Sequence, residues 1–195
     1  ILKKHNANQH KFHIPTYNDR YKIDNLIQDI LGDNADPFYQ ILKIPPAGRR
    51  NCTDSSIGDS WTAYLTWTSD SGNNAPIYVS SSRYITWWTT SISFDNIYRS
   101  YGLPIRPFKD TWVCPDETWT KYSPRVLTSW VYHNADLWLI SISWDGENWI
   151  TMMDKNLGAT STDTTSTASY GYYYQWWNNY WFPTSWSVTT SYTQV

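Results

Sequence analysis

The chain has 195 residues and a formal charge of -2: enough length for one sizeable core or two small ones, and too little charge for an electrostatic grip on nucleic acid or an anionic membrane. Charged residues make up 16%, below the roughly 25% of an average soluble domain, while Ser, Thr, Asn and aromatics abound, a mixture that favours β-structure with a neutral polar surface. No run of about 18 apolar residues exists, so no membrane-spanning helix is expected.

Residues 1–11 are polar and read as a frayed terminal segment. They hold His5 and His10, with His13 just beyond, but no neighbouring Cys, Asp or Glu completes a metal-ligand set. From Phe12 the pattern sharpens. Pro15-Thr16 precedes a helical period that gathers Tyr21, Ile23, Leu26, Ile27, Ile30 and Leu31 on one side. Thr16 suits the N-cap, Asp19 meets the helix dipole in the first turn, and Gly32 supplies a left-handed stop, so one main helix is expected at about 17–31.

Ile41 to Arg50 then reads as a short strand ended by Pro45 and Pro46, and Tyr64 to Ser69 as a further β segment. Ile77-Tyr78-Val79 and Ile92-Ser93-Phe94 cluster as strands, with Asp70 to Asn74 and Ser80-Ser81-Ser82 as turns. Residues 107–126 carry Pro107, Pro115 and Pro124 among polar residues and read as linker. Two β-like runs follow between Val126 and Trp144, with Asp145-Gly146 as a turn. Cys52 and Cys114 fit one disulfide in an exported protein or two separate thiols; no C-x-x-C pair or adjacent His points to zinc or redox chemistry.

The most informative stretch is Trp149 to Thr160, containing Met153-Asp154-Lys155-Asn156-Leu157-Gly158-Ala159-Thr160, followed by the aromatic and amide run Tyr170 to Pro183. It resembles the "M-D-x-N-L-G-A-T … Y-x-W-G-N-N" opening of the Fibrobacter succinogenes major paralogous domain, a bacterial surface and secreted module. Phe12 to Asp19 is similar to that family's "W-H-[IV]-P-[ST]-x-x-[ED]-W" helix start, with Arg20 where the family has Trp. Leu42 to Arg50 resembles its "L-x-L-P-x-A-G-x-R" segment, and Tyr101 to Arg106 its closing "Y-G-[FL]-x-[VI]-R" strand.

The helix start is also similar to that of formylglycine-generating enzymes. The resemblance implies an α+β fold of C-type-lectin-like type, one main helix with short antiparallel strands and long loops. It also implies an unusual order. Residues 12–107 match the second half of a family domain, 108–147 are linker and connecting strands, and 148–195 match the first half of another. With no initiating Met and a Ser/Thr-rich end, the chain reads as a piece of a longer protein. Two accounts stay open: a window cut across tandem repeats, or two halves closing on each other as a circular permutant.

The chain has 14 Trp against 8 Gly. Trp177, Trp181 and Trp186 stand where the family pattern has glycine, and Trp61, Trp87, Trp88, Trp130 and Trp138 where small turn residues are expected. One account is a lineage that reads UGA as glycine, leaving Trp67, Trp149 and Trp176 as genuine tryptophans; the other is that all are real surface aromatics.

His133 with Asp136, and Asp145 with Glu147, lie close in sequence, yet no G-x-S-x-G, H-E-x-x-H or P-loop frame surrounds them. No pair of active-site cysteines accompanies the resemblance to formylglycine-generating enzymes. Enzyme activity is therefore not expected. Asp54 with Asp59, and Asp70 with Asn73 and Asn74, place oxygen ligands that would suit calcium in loops, without EF-hand spacing; no other cofactor is implied.

The remaining candidates are a recognition or adhesion module, secreted or on a bacterial surface, and an architectural tandem-repeat protein without a small ligand. The candidate binding residues are Tyr172, Tyr173, Tyr174, Trp176, Asn178, Asn179 and Tyr180, which combine rigid aromatic area with adaptable amide hydrogen bonding. Such a surface suits an extracellular protein or a glycan. Strand alternation places Tyr172 and Tyr174 on one face and Tyr173 on the other, so part of this run is expected in the core.

Overall fold

The structure, a computed structural model, describes residues 12–19, 21–23, 42–51, 53–54, 56–61, 65–70, 78–86, 89–98, 101–110, 115–122, 130–143, 145–175 and 181–182. Among the described residues the secondary structure is mostly antiparallel strand with one short α-helical segment, at 17–19 and 21–23, and a 3-10 turn at Thr167–Ser169, an α+β arrangement in coarse terms. The remainder of the helix expected to Leu31 lies outside the described residues, as do Cys52 and Cys114.

The helix begins as its sequence dictates. The backbone N–H of Asp19 donates to Thr16 Oγ1 at 3.1 Å, and Thr16 returns its own N–H to Asp19 Oδ2 at 2.9 Å, a reciprocal cap that satisfies donors the first turn leaves open. Tyr21 does not join the apolar side, however. It is 46% exposed and stacks on Tyr17, and Ile23 is the residue here that enters the core.

Six strands form the largest sheet. They are β1 (Phe12–His13), β7 (Phe108–Lys109), β8 (Thr120–Tyr122), β9 (Trp130–Asn134), β10 (Leu139–Ser143) and β11 (Trp149–Met153), in the order β1-β7-β11-β10-β9-β8. All five residues of β10 are buried, so both sheet faces are covered at its centre. That is why the run Leu139-Ile140-Ser141-Ile142-Ser143 can place serines on one face: Ser141 Oγ meets Thr151 Oγ1 across the strand pair at 2.7 Å, satisfying both hydroxyls out of water.

A second sheet joins β13 (Trp181–Phe182), β12 (Tyr173–Gln175), β6 (Gly102–Leu103), β2 (Arg49–Arg50) and β3 (Ile57–Gly58) in that order. Its core cluster is Leu65, Trp67, Leu103, Ile105 and Tyr174, with Ile14, Tyr101, Leu157 and Tyr172 packed against it. The long strands β4 (Tyr78–Thr86) and β5 (Thr89–Tyr98) pair with each other.

Three segments depart from the sequence expectation. Ser81 and Ser82, read as a turn, lie within β4 and pair with Asn96 and Asp95, because a cross-strand partner outweighs the local turn preference of serine. Leu42 to Gly48 is not a strand: Lys43 has φ 53, and Pro45 and Pro46 have no N–H to give a ladder, so pairing starts only at Arg49. The stretch 107–126, read as linker, supplies β7 and β8, which join the same sheet as β9 and β10, the two β runs expected between Val126 and Trp144. Besides Lys43, the non-glycine residues with left-handed backbone among those described are Asp59 (φ 58), Trp61 (φ 67) and Trp138 (φ 58).

Candidate functional site

The two sequence stretches that carry the strongest patterns, 101–106 and 153–175, meet. Leu157 donates its N–H to Ile105 O at 2.9 Å, and Met153 donates to Pro107 O at 3.0 Å. Between them Arg106 is fully buried. Its Nε donates to Asn156 Oδ1 at 3.0 Å, its Nη1 to Met153 O at 2.9 Å and its Nη2 to Lys43 O at 2.7 Å. The guanidinium thus ties three chain segments by directed bonds, a use for which its planar fork of donors suits it better than a lysine ammonium.

Asn156 passes the connection on, donating from Nδ2 to Tyr170 O at 3.1 Å. Leu157 O then accepts from Tyr172 N at 2.9 Å. The turn between these contacts needs glycine twice. Gly158 has φ 83, and a Cβ there would fall 2.3 Å from the Tyr172 ring; Gly171 has φ 73, and a Cβ would fall 2.6 Å from Leu157 O.

This node fixes the start of β12 and with it the aromatic run. Tyr173 has no exposed surface, and its hydroxyl donates to Ala47 O at 2.6 Å. Tyr174 is also buried, packed in the cluster with Leu103 and Ile105, while its carbonyl accepts from the indole N–H of Trp67. Tyr172 is half-buried against the same cluster as Tyr174. Both faces of β12 are therefore covered. Burial removes Tyr173 and Tyr174 from any accessible contact surface and raises their phenol pKa values, Tyr173 the more strongly.

Trp176, Asn178, Asn179 and Tyr180 lie outside the described residues. They fall between β12 and β13, which pair antiparallel through Tyr173 with Phe182 and Tyr174 with Trp181.

The titratable residues sort differently from their sequence neighbours. His133 reaches Asp154 rather than Asp136, with Nε2 to Oδ2 at 3.0 Å, and Asp154 is buried with Oδ1 lacking a hydrogen-bond partner among the described residues. The pairing follows from register. His133 and Met152 both oppose Ile140, from either side of β10, and Asp154 is two residues beyond Met152 on the same face. No sequence spacing could show this, because β9 and β11 are separated by β10.

Asp145 closes the turn after β10. Its Oδ1 accepts from Asn148 N at 2.7 Å, Glu147 N at 2.9 Å and Ser143 Oγ at 3.0 Å, and these bonds to the charged form hold its pKa well below the usual carboxylate range. The carboxylate is a turn cap, and Glu147 contributes its backbone to it.

His13 gathers two acids from distant segments, with Nδ1 at 2.5 Å from Asp110 Oδ1 and Nε2 at 3.6 Å from Asp19 Oδ2. The Asp19 hydrogen bond raises the His13 pKa, and its counterpart on Asp19 is a pKa held well below the usual range, with His13 again the largest cause.

The loop acids considered for calcium are engaged by the protein. Asp54 Oδ1 accepts from Ser56 N and Oγ, Asp59 Oδ2 lies 3.2 Å from Arg49 Nε, and Asp70 Oδ2 accepts from Tyr17 N. Asn73 and Asn74 lie outside the described residues, and no group of three His, Cys, Asp or Glu gathers among those described. No described helix is long and apolar enough to cross a membrane.

No family model matches the chain, and neither do any curated proteins or solved structures.

Proposed function

We propose that the chain is a non-catalytic recognition or adhesion module, secreted or on a bacterial surface, built on a C-type-lectin-like arrangement. The observation that carries this reading is the seating of the aromatic and amide run. Trp176 to Tyr180 is bracketed by β12 and β13, and β12 is anchored on both faces by Trp67, Leu103, Ala47 and the Arg106–Asn156 node. A connection carried at a rigid sheet edge is how recognition loops are commonly presented. On this reading the contact residues are Trp176, Asn178, Asn179 and Tyr180, together with the half-buried Tyr172. Tyr173 and Tyr174 are the support.

The same contacts support the closed arrangement of the two half-domains. On this reading 148–175 and 12–107 form one unit in the manner of a circular permutant, supported by the pairing of β6 with β12 and by the bonds from Leu157 and Met153 to Ile105 O and Pro107 O. Limited proteolysis tests this directly: the whole of 12–182 should resist as one unit, and survival of 12–107 after loss of everything beyond 145 would refute it.

Function is tested with a glycan array and a bacterial or host cell-binding screen, with and without a calcium chelator, on the chain and on a variant carrying Trp176→Ala, Asn178→Ala and Asn179→Ala. Binding that the triple variant loses, at unchanged melting temperature, supports the recognition reading. Binding that survives it moves the contact surface elsewhere. No binding to any probe favours an architectural surface repeat, and turnover of an ester, peptide or glycoside would reinstate an enzyme.

A further inference from the structure

Among the described residues, two pairs of tryptophans contrast, while Trp130 and Trp181 lie in β9 and β13. Trp67 and Trp149 are 1% and 7% exposed and behave as large core residues; Trp67 donates its indole N–H to Tyr174 O, and Trp149 meets the Tyr132 ring edge-on at 5.6 Å. Trp61 and Trp138 are 46% and 53% exposed and have φ of 67 and 58. A Cβ in that region crowds the following carbonyl. The rings do make contacts, Trp61 edge-on to Tyr170 at 5.6 Å and Trp138 beneath Lys155 Nζ at 3.9 Å, but half of each ring stays in water, and neither contact requires the left-handed backbone.

Their places in the fold are glycine places. Asn134 and Leu139 are the last pair of the β9–β10 hairpin, so Trp138 is the final residue of a four-residue connection, where a left-handed residue lets the chain re-enter the strand. Trp61 follows the left-handed Asp59 in the turn after β3 and donates its N–H to Pro46 O at 2.7 Å, so its backbone is held whatever its side chain. The composition is skewed the same way: 14 Trp stand beside 8 Gly, where average usage would give roughly 14 glycines in a chain of this length.

We propose that positions 61 and 138 are glycine in the protein as its own cell makes it, because UGA is read there as glycine, whereas Trp67 and Trp149 are tryptophan. The exposed aromatics at 61 and 138 are then not a ligand platform. The inference rests on backbone geometry and burial and is independent of the recognition reading.

The test compares the chain with Trp61→Gly, Trp61→Ala, Trp138→Gly and Trp138→Ala by thermal unfolding, alongside the codons at 61, 67, 138 and 149 in the source DNA. Each glycine variant should melt about 2–4 °C above the parent and above its alanine counterpart, because alanine keeps the Cβ that the left-handed backbone resists. The codons at 61 and 138 should be UGA and those at 67 and 149 UGG. UGG at either 61 or 138, or a glycine variant that melts no higher than the alanine variant, overturns the proposal.

Discussion

Arg106 Nε donates to Asn156 Oδ1 at 3.0 Å in the fully buried interior, joining two residues 50 positions apart in the chain. Each sits in a sequence pattern of its own, one at the close of Tyr101 to Arg106 and one inside Asp154 to Thr160. Around the bond, Ile105 O and Pro107 O accept from Leu157 and Met153 as strands pair, so the polar tie and the backbone ladder specify the same register. A cation buried this deeply is held by its acceptors rather than by water, and those acceptors come from two segments, 42–43 and 153–156, both distant in sequence from Arg106.

Arg106→Met should therefore be among the most damaging single changes. It removes donors from Asn156 Oδ1, Met153 O and Lys43 O, and each buried acceptor left without a partner costs about 1–3 kcal/mol. A loss of about 3–5 kcal/mol in urea unfolding is expected. Arg106→Lys should recover only part of it, since one ammonium cannot reach all three acceptors. Equal stability of the lysine variant and the parent would show that the fork geometry is irrelevant.

Gly158→Ala tests the turn that carries Asn156 to Tyr170. The substitution strains a backbone at φ 83 and drives a methyl to within 2.3 Å of the Tyr172 ring. About 2–3 kcal/mol of destabilisation is expected, of which the backbone part is about 1–2 kcal/mol. In a double-mutant cycle, Tyr172→Ala should relieve the steric part and leave the backbone part. Strictly additive losses would mean that the ring moves aside freely.

The Arg106–Asn156 tie itself was not legible in the sequence, but several local features were. Thr16 and Asp19 announce their cap by spacing alone, and Gly158 announces its turn by standing between a half-buried segment and a polar one. Tyr172 and Tyr174 share one packing cluster, as strand alternation requires. What the sequence could not show is pairing between distant segments. His133 selected Asp154 over Asp136 because β10 aligns β9 with β11, and His13 found Asp110 because β1 lies on β7. The opposite error, Ser81-Ser82 read as a turn, has the same origin: a partner strand overrode the local signal.

His13 gives the fold a measurable pH dependence. It faces Asp19 and Asp110, and the Asp19 hydrogen bond above all raises its pKa from the ordinary 6.5. A group with a raised folded pKa stabilises fully below its unfolded pKa and ceases to do so as pH climbs through the folded value. Asp19, lowered from 3.8, acts oppositely and loses its contribution in acid. Stability from this cluster should therefore be fullest between about pH 4 and 6.5 and decline above about pH 7. The side chains are about a third exposed, so water screens the effect to less than about 1 kcal/mol, or at most about 2–4 °C in melting temperature. His13→Gln should flatten the difference between about pH 5 and pH 8.5. Parallel curves for parent and variant would remove His13 as its source.

Tyr173→Phe separates support from contact. The hydroxyl it removes donates to Ala47 O at 2.6 Å with no solvent access, so the variant strands one buried carbonyl and should lose about 1–2 kcal/mol. The ring and the pairing of β12 with β6 and β13 are kept, and with them the placement of whatever follows Gln175. Any ligand found for the chain should then be bound with unchanged affinity by Tyr173→Phe below its melting transition, while Asn178→Ala or Asn179→Ala weakens binding by about 1 kcal/mol or more without a stability change. The reverse pattern, affinity lost with Tyr173→Phe and kept with the asparagine variants, would place the ligand at the buried phenol and require β12 to open for it.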